Sequence, residues 1–281
     1  MNPRLDHLIN LLAQKSINYH DFITHANSIP EINELFDPKD FSMWQTLGLD
    51  IIKLKSGKVT LKTRDTNIED EIFCVVDIET NGGIKTGQII EIGAVKCRNG
   101  EILDKFETFV KANEIPENIS QLTGITLDDL KDAPPLDFVL EKFRLFLGSS
   151  TFVAHNVKFD YNFISKSLEN LGYGMLLNRR ICTIELARRT IPSYKYGLMT
   201  LKELLGINNA HHRALNDALS AYEIFKTSLE LIPWSVQTVE DLIEFSKTAK
   251  SVRLIEKKEI KPTQTEKTSN FEAQKTETNN E

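Results

Sequence analysis

The chain has 281 residues, and its 34 Lys and Arg against 40 Asp and Glu give a net charge of −6 at pH 7. Apolar residues make up 41% and charged residues 26%, a balance typical of a soluble globular protein. No apolar run approaches the ~18–20 residues that cross a bilayer, which argues against a transmembrane protein. The acidic balance gives no sign of a nucleic-acid binder, because such proteins usually carry excess basic charge.

The N-terminal segment and the cysteines both indicate a cytoplasmic protein. The opening stretch MNPRLDHLINLLAQKS mixes an acid and amides with its apolar residues and has no small-residue cleavage site, so it does not resemble a signal peptide. Cys74, Cys97 and Cys182 are odd in number and far apart. They fit neither a disulfide framework nor a zinc site, which favours a reducing compartment.

Residues 1–65 are predicted to form a small helical domain that ends in a β-hairpin. Apolar residues at helical spacing predict a first helix, and similar patterns predict two more helices near 20–27 and 40–47. The alternating segment from Ile51 contains the turn dipeptide Ser56-Gly57. A two-residue turn there would pair Ile52 with Leu61 across the hairpin.

Helices followed by an amphipathic hairpin resemble a winged-helix domain, whose wing would contact nucleic acid. The same pattern fits a helical appendage with a solvated lysine face, and the acidic excess over residues 1–70 favours this second interpretation. Residues 63–70 are polar and are predicted to form a linker.

Residues 71–232 have the pattern of an α/β domain with a mixed sheet flanked by helices. Three strands are predicted first, in the segments IFCVVDIE, 88–97 and 101–110, with the hairpin signal Asn99-Gly100 between the last two. A short strand at 151–154 is then followed by helical patterns. Strands in a meander and then strands alternating with helices give this fold class. The predicted helices cover 136–147, 157–171, 183–190, 199–205 and 213–230.

The C-terminal region is predicted to contain a helix over 236–255 and a disordered tail over 256–281. The tail consists of Lys, Glu, Thr, Asn and Gln with almost no large apolar residue. It cannot bury enough surface to offset the entropy lost on ordering. The helix and tail could tether a partner such as a polymerase, or could serve as a linker alone.

Two acids stand at the end of the first apolar strand. Asp77 and Glu79 are two residues apart, so their side chains share one face of the strand. Neighbouring carboxylates repel unless a cation lies between them, and oxygen donors suit Mg²⁺ or Mn²⁺. The alternative is a solvated strand terminus without a metal.

A second polar group, His155, Asn156, Phe159 and Asp160, follows the predicted strand 151–154. Strand ends that open into helices are where α/β folds place their ligands. Asp160 lies about one helical turn after Asn156, so both residues can line one cleft. As alternatives, Asn156 suits a helix N-cap and His155 suits a histidine of the core.

The segment HHRALNDA supplies a third group, in which His212 precedes the helical residue Asp217. A loop histidine and an acid on the first turns of a helix can converge on one point. The alternative is an exposed loop histidine beside helix acids.

The order and spacing of the three groups resemble the DEDDh (DnaQ-like) superfamily of 3′–5′ exonucleases. The resemblance covers about residues 71–230 and includes Asp-x-Glu, HNxxFD and His-x4-Asp. It also includes the segments Gln121–Thr126 and Thr183–Arg188. It implies an RNase H-like fold. Within the superfamily, the chain looks most like the epsilon proofreading subunit of bacterial DNA polymerase III.

The resemblance implies a metal centre and its ligands. Asp77, Glu79, Asp160 and Asp217 would hold two Mg²⁺ (or Mn²⁺) ions. His212 would be the general base, because the family spacing places the base five positions before the last Asp and so selects His212 over His211.

The resemblance also implies substrate-binding residues. Thr80 would contact the 3′-terminal nucleotide, His155 would be a substrate contact, and Asn156 with Phe159 would shape the strand-end pocket. The family often has a second Thr after the first, where this chain has Asn81. This departure leaves metal binding untouched but changes the contact with the terminal nucleotide.

The implied reaction is hydrolysis of DNA from its 3′ end with release of nucleoside 5′-monophosphates. The implied partners are a single-stranded or frayed 3′ end of DNA and the catalytic subunit of DNA polymerase III or another replisome protein. RNA ends or short oligonucleotides are alternative substrates, and repair independent of the polymerase is an alternative role. An inactive α/β domain is disfavoured, because all four acids and the histidine are present.

Overall fold

The computed structural model describes residues 2–208 and 212–252. Its N-terminal region combines four helices with a small antiparallel sheet in the strand order β1-β3-β2. Trp44 and Phe22 lie fully buried at the centre of this region. The elements are α1 (Pro3–Gln14), β1 (Ile17–Asn18), α2 (Tyr19–Asn27), α3 (Pro30–Leu35), α4 (Phe41–Thr46), β2 (Ile51–Lys53) and β3 (Lys58–Leu61).

The predicted hairpin is present, but its predicted register is wrong by one residue. Ile51 pairs with Leu61 and Ile52 pairs with Thr60. The amide of Leu54 donates to the Lys58 carbonyl, so three residues rather than two form the loop. Gly57 ends this loop with φ +77°, the left-handed conformation that three-residue hairpin loops require at that position.

A five-stranded mixed sheet forms the centre of the following region, in the order β6-β5-β4-β7-β8. β5 runs antiparallel to its neighbours β4 and β6, and β7 and β8 run parallel to β4. This arrangement agrees with the mixed sheet predicted from the sequence. The strands are β4 (Phe73–Thr80), β5 (Ile89–Arg98), β6 (Glu101–Phe109), β7 (Thr151–Ala154) and β8 (Arg180–Cys182).

Helices cover both faces of this sheet. The longer helices follow the predicted positions closely, whereas the short α3, α5 and α6 and the strand β8 were not predicted, because they offer too few positions to show a period. The helices are α5 (Glu117–Thr123), α6 (Leu127–Leu130), α7 (Leu136–Leu147), α8 (Val157–Asn170), α9 (Thr183–Thr190), α10 (Leu198–Leu205), α11 (Ala214–Glu230) and α12 (Val239–Thr248).

Alternating residues of β4 define the two layers of the core. Val76 and Ile78 pack into the cluster that contains α7 and α8. Phe73 and Val75 pack into the cluster that contains α9, α11 and α12. Because side chains alternate along a strand, Asp77 belongs to the face that α11 covers.

The segment predicted as a linker is ordered and packed. A 3₁₀ turn occupies Lys62–Arg64. The Ile68 amide then donates to the Gln237 carbonyl, and the Val239 amide donates to the Thr66 carbonyl, each within 3.1 Å. The polar composition of this segment suggested a linker, but its backbone pairs with the residues at the start of α12.

The C-terminal helix is shorter than the predicted 236–255. The Thr238 hydroxyl and the Asp241 carboxylate form a reciprocal capping box at its start. Ala249 is extended, with ψ 152°, and ends the helix at Thr248. The predicted disordered tail lies outside the described residues. No helix in 2–208 or 212–252 is long and apolar enough to span a membrane.

Candidate active site

The carboxyl end of β4 carries Asp77 and Glu79 toward the face that α11 covers. A β-bulge interrupts the pairing with β5 between Glu79 and Thr80. Bulges bend a strand locally and re-aim its side chains. Because side chains alternate along a strand, the two carboxylates share one face at the carboxyl end of β4.

Asp160 reaches the same place from α8. Its Oδ1 accepts a hydrogen bond of 3.3 Å from the Ile78 amide, between the two acids of β4. The side chain is buried on the first turn of the helix, and burial raises the pKa of Asp160 to about 7. The structure thus brings together the strand acids and the helix acid, which are separated by about 80 positions in the sequence.

Asp217 comes from the opposite side, on α11. This helix crosses β5 at Gly93, the residue that pairs with Asp77. A Cβ atom at Gly93 would lie 2.1 Å from the Leu215 amide nitrogen, so only glycine allows this approach. Close packing of α11 therefore places its first turns, and Asp217 with them, beside Asp77.

Two groups hold the Asp217 carboxylate within the protein. Its Oδ2 accepts a hydrogen bond of 3.1 Å from the His212 amide. Its Oδ1 lies 3.9 Å from Nζ of Lys202, a lysine that is only 3% exposed. Lys202 supplies positive charge next to the acidic cluster, and its role was not predicted from the sequence.

Glu91 anchors the loop that precedes α11. Its Oε1 accepts from Nε and Nη2 of Arg213, at 3.0 and 2.9 Å, and its Oε2 accepts from the Ala214 amide at 3.1 Å. Glu91 is 1% exposed and lies within the apolar part of β5. A single acid inside the run IIEIGAV was the sequence signal that could have identified this residue.

His212 lies in this loop with its side chain exposed. Its backbone is left-handed, with φ +57°, a conformation that is uncommon for residues other than glycine. One ring nitrogen of His212 and one carboxylate oxygen each from Glu79 and Asp217 lie within 4.8 Å of one another. The other histidine of the pair, His211, lies outside the described residues.

Thr80 and His155 border the acidic cluster. The Thr80 hydroxyl donates to the Gly82 carbonyl at 3.0 Å. Nδ1 of His155 is 2.8 Å from the Thr183 hydroxyl, and burial lowers the pKa of His155 to about 4. His155 is therefore a neutral, half-buried side chain at the end of β7.

Asn156 and Phe159 lie at the start of α8 with exposed side chains. Asn156 occupies the N-cap position with φ +71°, yet its side chain makes no capping hydrogen bond. Phe159 is 42% exposed, and its ring centroid is 5.8 Å from that of Phe163. Both side chains are exposed on the turn of α8 that also carries Asp160.

The acids repel one another in the absence of a cation. Burial, followed by the nearby carboxylates of Asp160 and Glu79, raises the pKa of Asp77 well above 3.8. Burial and the Asp217 carboxylate raise the pKa of Glu79 to about 7. An acid cluster of this kind gains most from a hard divalent cation, whose charge lowers these pKa values again.

Comparisons with known proteins agree with this geometry. The RNase_T exonuclease family model matches residues 74–225. PolC-type DNA polymerase III from Staphylococcus epidermidis is 42% identical over 171 residues, which are 59% of this chain and 12% of that protein. The Staphylococcus aureus protein of the same name is also 42% identical. The chain therefore spans about an eighth of the length of these relatives.

Solved exonucleases share the fold. A structure of exonuclease X with 5′ overhanging duplex DNA is 26% identical, with a TM-score of 0.50 over 62% of this chain and 99% of that chain. A structure of exonuclease I, 17% identical, has a TM-score of 0.53 over 58% of this chain and 42% of that one. The RNase H-like fold expected from the motifs is confirmed, and the chain belongs to the exonuclease family.

Proposed function

We propose that this protein is a 3′–5′ exonuclease that hydrolyses DNA from its 3′ end and releases nucleoside 5′-monophosphates. The observation that carries the proposal is the convergence of four acids and His212 at one end of the sheet. These residues come from β4, α8, the loop before α11, and α11 itself. Ligand atoms of Glu79, His212 and Asp217 lie within 4.8 Å of one another, and Asp160 accepts from the Ile78 amide, which lies between Asp77 and Glu79.

The cofactors in this proposal are two Mg²⁺ or Mn²⁺ ions. Asp77, Glu79, Asp160 and Asp217 are their ligands, since carboxylate oxygens suit these cations. Burial and mutual repulsion, which raise the pKa values of Asp77, Glu79 and Asp160, support this assignment. When bound, such ions supply positive charge that stabilises the attacking and leaving oxygens of a phosphodiester.

His212 is the general base of the proposed reaction. Its exposed ring lies beside Glu79 and Asp217, where it accepts the proton of the attacking water. Histidine suits this role because it can exchange a proton near neutral pH. The hydrogen bond from its amide to Asp217 fixes the loop, so that the ring stays at the cluster.

The 3′-terminal nucleotide is positioned by residues that border the acids. Thr80 and His155 lie on the sheet side, and Asn156 and Phe159 lie on the α8 side. The exposed Phe159 ring offers a face on which a terminal base stacks. Asn81 does not take the place of the family's second threonine in contacting the nucleotide. Its side chain donates to the Glu114 carbonyl and accepts from the Gln88 amide instead.

The biological role proposed for this activity is proofreading in the cytoplasm, as the epsilon subunit of DNA polymerase III. Support comes from the 42% identity to PolC-type DNA polymerase III over 171 residues. The partner is then the polymerase catalytic subunit or another replisome protein. The net charge of −6 fits this role, since such a protein holds DNA weakly and depends on a partner to present the 3′ end.

A second candidate is an exonuclease that acts in repair, independently of the polymerase. Exonuclease X favours it, because the alignment covers 99% of that chain and its structure contains 5′ overhanging duplex DNA. RNA or short oligonucleotides are further substrates to test, because discrimination of the sugar depends on contacts near Thr80.

Matched DNA and RNA oligomers with a 5′ label test polarity and substrate together. The proposal predicts a ladder of shortened DNA products with Mg²⁺, faster on DNA than on RNA. Immediate release of the labelled 5′ nucleotide would contradict the polarity. For the role, the protein should co-purify with the replicative polymerase and excise a terminal mismatch faster than a matched end. Equal excision without co-purification would favour the repair candidate.

A further inference from the structure

A cavity of about 350 Å³ lies where the N-terminal region meets the edge strand of the main sheet. Four elements form its walls, namely α1, α8, the start of β8, and α12. The side chains that decide its chemistry are Asp6, Tyr161, Arg179, Arg180 and Lys247. None of them belongs to the acidic cluster, although Tyr161 directly follows Asp160 on α8.

Positive charge in this cavity exceeds the negative charge that faces it. Arg179 is neutralised by Glu240, through contacts of 2.7 and 2.6 Å. Among the described residues, no carboxylate lies within the 4.0 Å ion-pair distance of Arg180 or Lys247. Asp6 is the one acid of the described part of the chain that lines the cavity. Two cations therefore share a small space with a single carboxylate.

Arg180 is held in place before any ligand arrives. Its guanidinium carbon lies 4.5 Å from the centroid of the Tyr161 ring. The Tyr161 hydroxyl in turn donates to the Asn178 carbonyl at 3.2 Å. A stacked guanidinium loses little freedom on binding and offers a planar pair of N–H donors, which matches the oxygens of a phosphate.

Lys247 faces this cavity from the last turns of α12. Partial burial lowers the pKa of Lys247, and the neighbouring guanidinium groups of Arg179 and Arg180 lower it further, whereas Glu240 and Glu244 oppose the change. The ammonium group thus lacks an adequate counter-ion. An anion in the cavity would relieve the repulsion among these cations.

We propose that this cavity binds a phosphate group, with Arg180 and Lys247 as its cationic contacts. The phosphate belongs either to the backbone of a nucleic-acid strand or to a free nucleotide. Arg180 pairs with Phe152 of β7, and Phe152 pairs in turn with Cys74 of β4. Cys74 precedes Asp77 by three residues on β4. The cavity is thus about 10 Å along the strand direction from the acids, and two strands across the sheet.

This binding goes beyond the proposed hydrolysis, since it needs neither the acids nor a divalent cation. It also gives the N-terminal region a role, because Asp6 on α1 closes one side of the cavity. Asp6 limits the excess of positive charge and so sets the affinity. A ligand with two negative charges is favoured over a neutral one.

Calorimetric titration of the full chain in EDTA tests the proposal. The ligands are inorganic phosphate, a nucleoside 5′-monophosphate and a single-stranded DNA oligomer, and the protein carries Asp77→Ala so that no ligand is hydrolysed. The double variant Arg180→Gln with Lys247→Gln is expected to raise the Kd about tenfold. The matched control, Arg98→Gln with Lys226→Gln, removes the same charge from a different cavity and should change the Kd less than about twofold.

The pattern across ligands identifies the source of the phosphate. Weakened binding of all three ligands supports a site for free nucleotides, and weakened binding of the oligomer alone supports a backbone contact. Asp6→Asn keeps the cations and should lower the Kd about threefold. Equal affinity of the double variant and its control for every ligand would overturn the proposal, as would unchanged or weaker binding by Asp6→Asn. Loss of hydrolysis in Asp77→Ala bears only on the proposed function.

Discussion

The two sides of α8 carry clusters of opposite charge. On one side, Asp160 joins the acids of β4 and α11, and burial with mutual repulsion raises the pKa values of Asp77 and Asp160. On the other side, Tyr161 supports Arg180 beside Lys247, and the pKa of Lys247 is lowered. Each cluster concentrates charge of one sign, and each would be stabilised by a ligand of the opposite sign.

Under the two proposals, an acidic chain meets nucleic acid through local clusters of charge. Its net charge of −6 averages over a cluster that suits divalent cations and a cavity that suits phosphate. The local arrangement of charge therefore says more about ligands than the sum does. The two proposals can therefore be tested separately, because divalent cations should bind the acidic cluster and phosphate should bind the cavity of Arg180 and Lys247.

Asp77→Ala should have the largest effect on the acidic cluster. Burial and the carboxylates of Asp160, Glu79 and Asp217 all raise the pKa of Asp77, so its loss removes the proposed metal ligand that interacts with the other three. We expect nucleotide release to fall by about 10³-fold or more, since metal ions contribute several kcal/mol and about 1.4 kcal/mol corresponds to tenfold. A gel assay on labelled DNA measures the rate. Asp132→Ala, at an exposed position, should stay fully active, and an active Asp77→Ala enzyme would refute the assignment.

His212→Gln should lower kcat by about 10²- to 10³-fold while KM changes little, because a general base acts on the chemical step. The dependence of kcat on pH should flatten as well. Steady-state kinetics across the pH range provide both readings. An unaltered pH profile together with a raised KM would assign His212 to substrate binding instead.

Gly93→Ala should reduce activity without removing any charged group. Its Cβ would collide with the α11 backbone at Leu215 and push Asp217 away from Asp77. A displacement of about 1 Å can lower a rate by about 10²-fold. Gly197→Ala, where a Cβ atom meets no other atom within 4 Å, is the control for kinetics and thermal unfolding. Equal rates for the two variants would show that this close approach does not position the site.

Glu91→Gln should have a smaller effect, about tenfold on kcat and about 1–3 kcal/mol on stability, because it weakens hydrogen bonds to a charged group. Arg213 would lose its buried partner, and the loop of His212 would become less fixed. Glu107 lies 3.8 Å from the same guanidinium but is 48% exposed. Glu107→Gln should therefore leave both quantities nearly unchanged, and equal effects from the two substitutions would count against the anchoring role.

The stability of the metal-free protein should fall as the pH rises. Glu79 and Asp160 have pKa values near 7 in the folded protein, above their ordinary 4.5 and 3.8. The folded state then binds more protons at these two groups than the unfolded chain does, so their contribution to stability is complete below about pH 4 and is lost as the pH rises through about 7. Thermal unfolding in EDTA measures this slope. Mg²⁺ should raise the Tm more at about pH 8 than at about pH 5, and equal shifts at both would contradict the account.

The sequence predicted the acids of the candidate site because each lies in a short motif with its own spacing. Asp77 and Glu79 share a strand face by alternation alone, and Asp160 and Asp217 lie on helices with clear periods. The supporting residues were missed because their roles depend on contacts across the sheet. Gly93 matters only when α11 is packed on β5, and Glu91 only when Arg213 folds over it.

The N-terminal region shows the same limit. Its long helix and hairpin were predicted, whereas the hairpin register depended on the conformation of Gly57 in a loop of unpredicted length. Its packing on the main domain was not visible in the sequence either. Leu177 of the main domain is buried in the N-terminal core, and its amide donates to the Leu47 carbonyl at 2.7 Å.

Calorimetric titration of Mn²⁺ into the wild-type chain and into Asp77→Ala tests the central claim most directly. The claim is that the acidic cluster of β4, α8 and α11 holds the divalent cations on which hydrolysis depends. The account predicts two bound ions per wild-type chain and loss of at least one in the variant. It also predicts proton release on binding near neutral pH, because the raised pKa values of Glu79 and Asp160 fall when the cations arrive. Identical binding curves for the two proteins would contradict it.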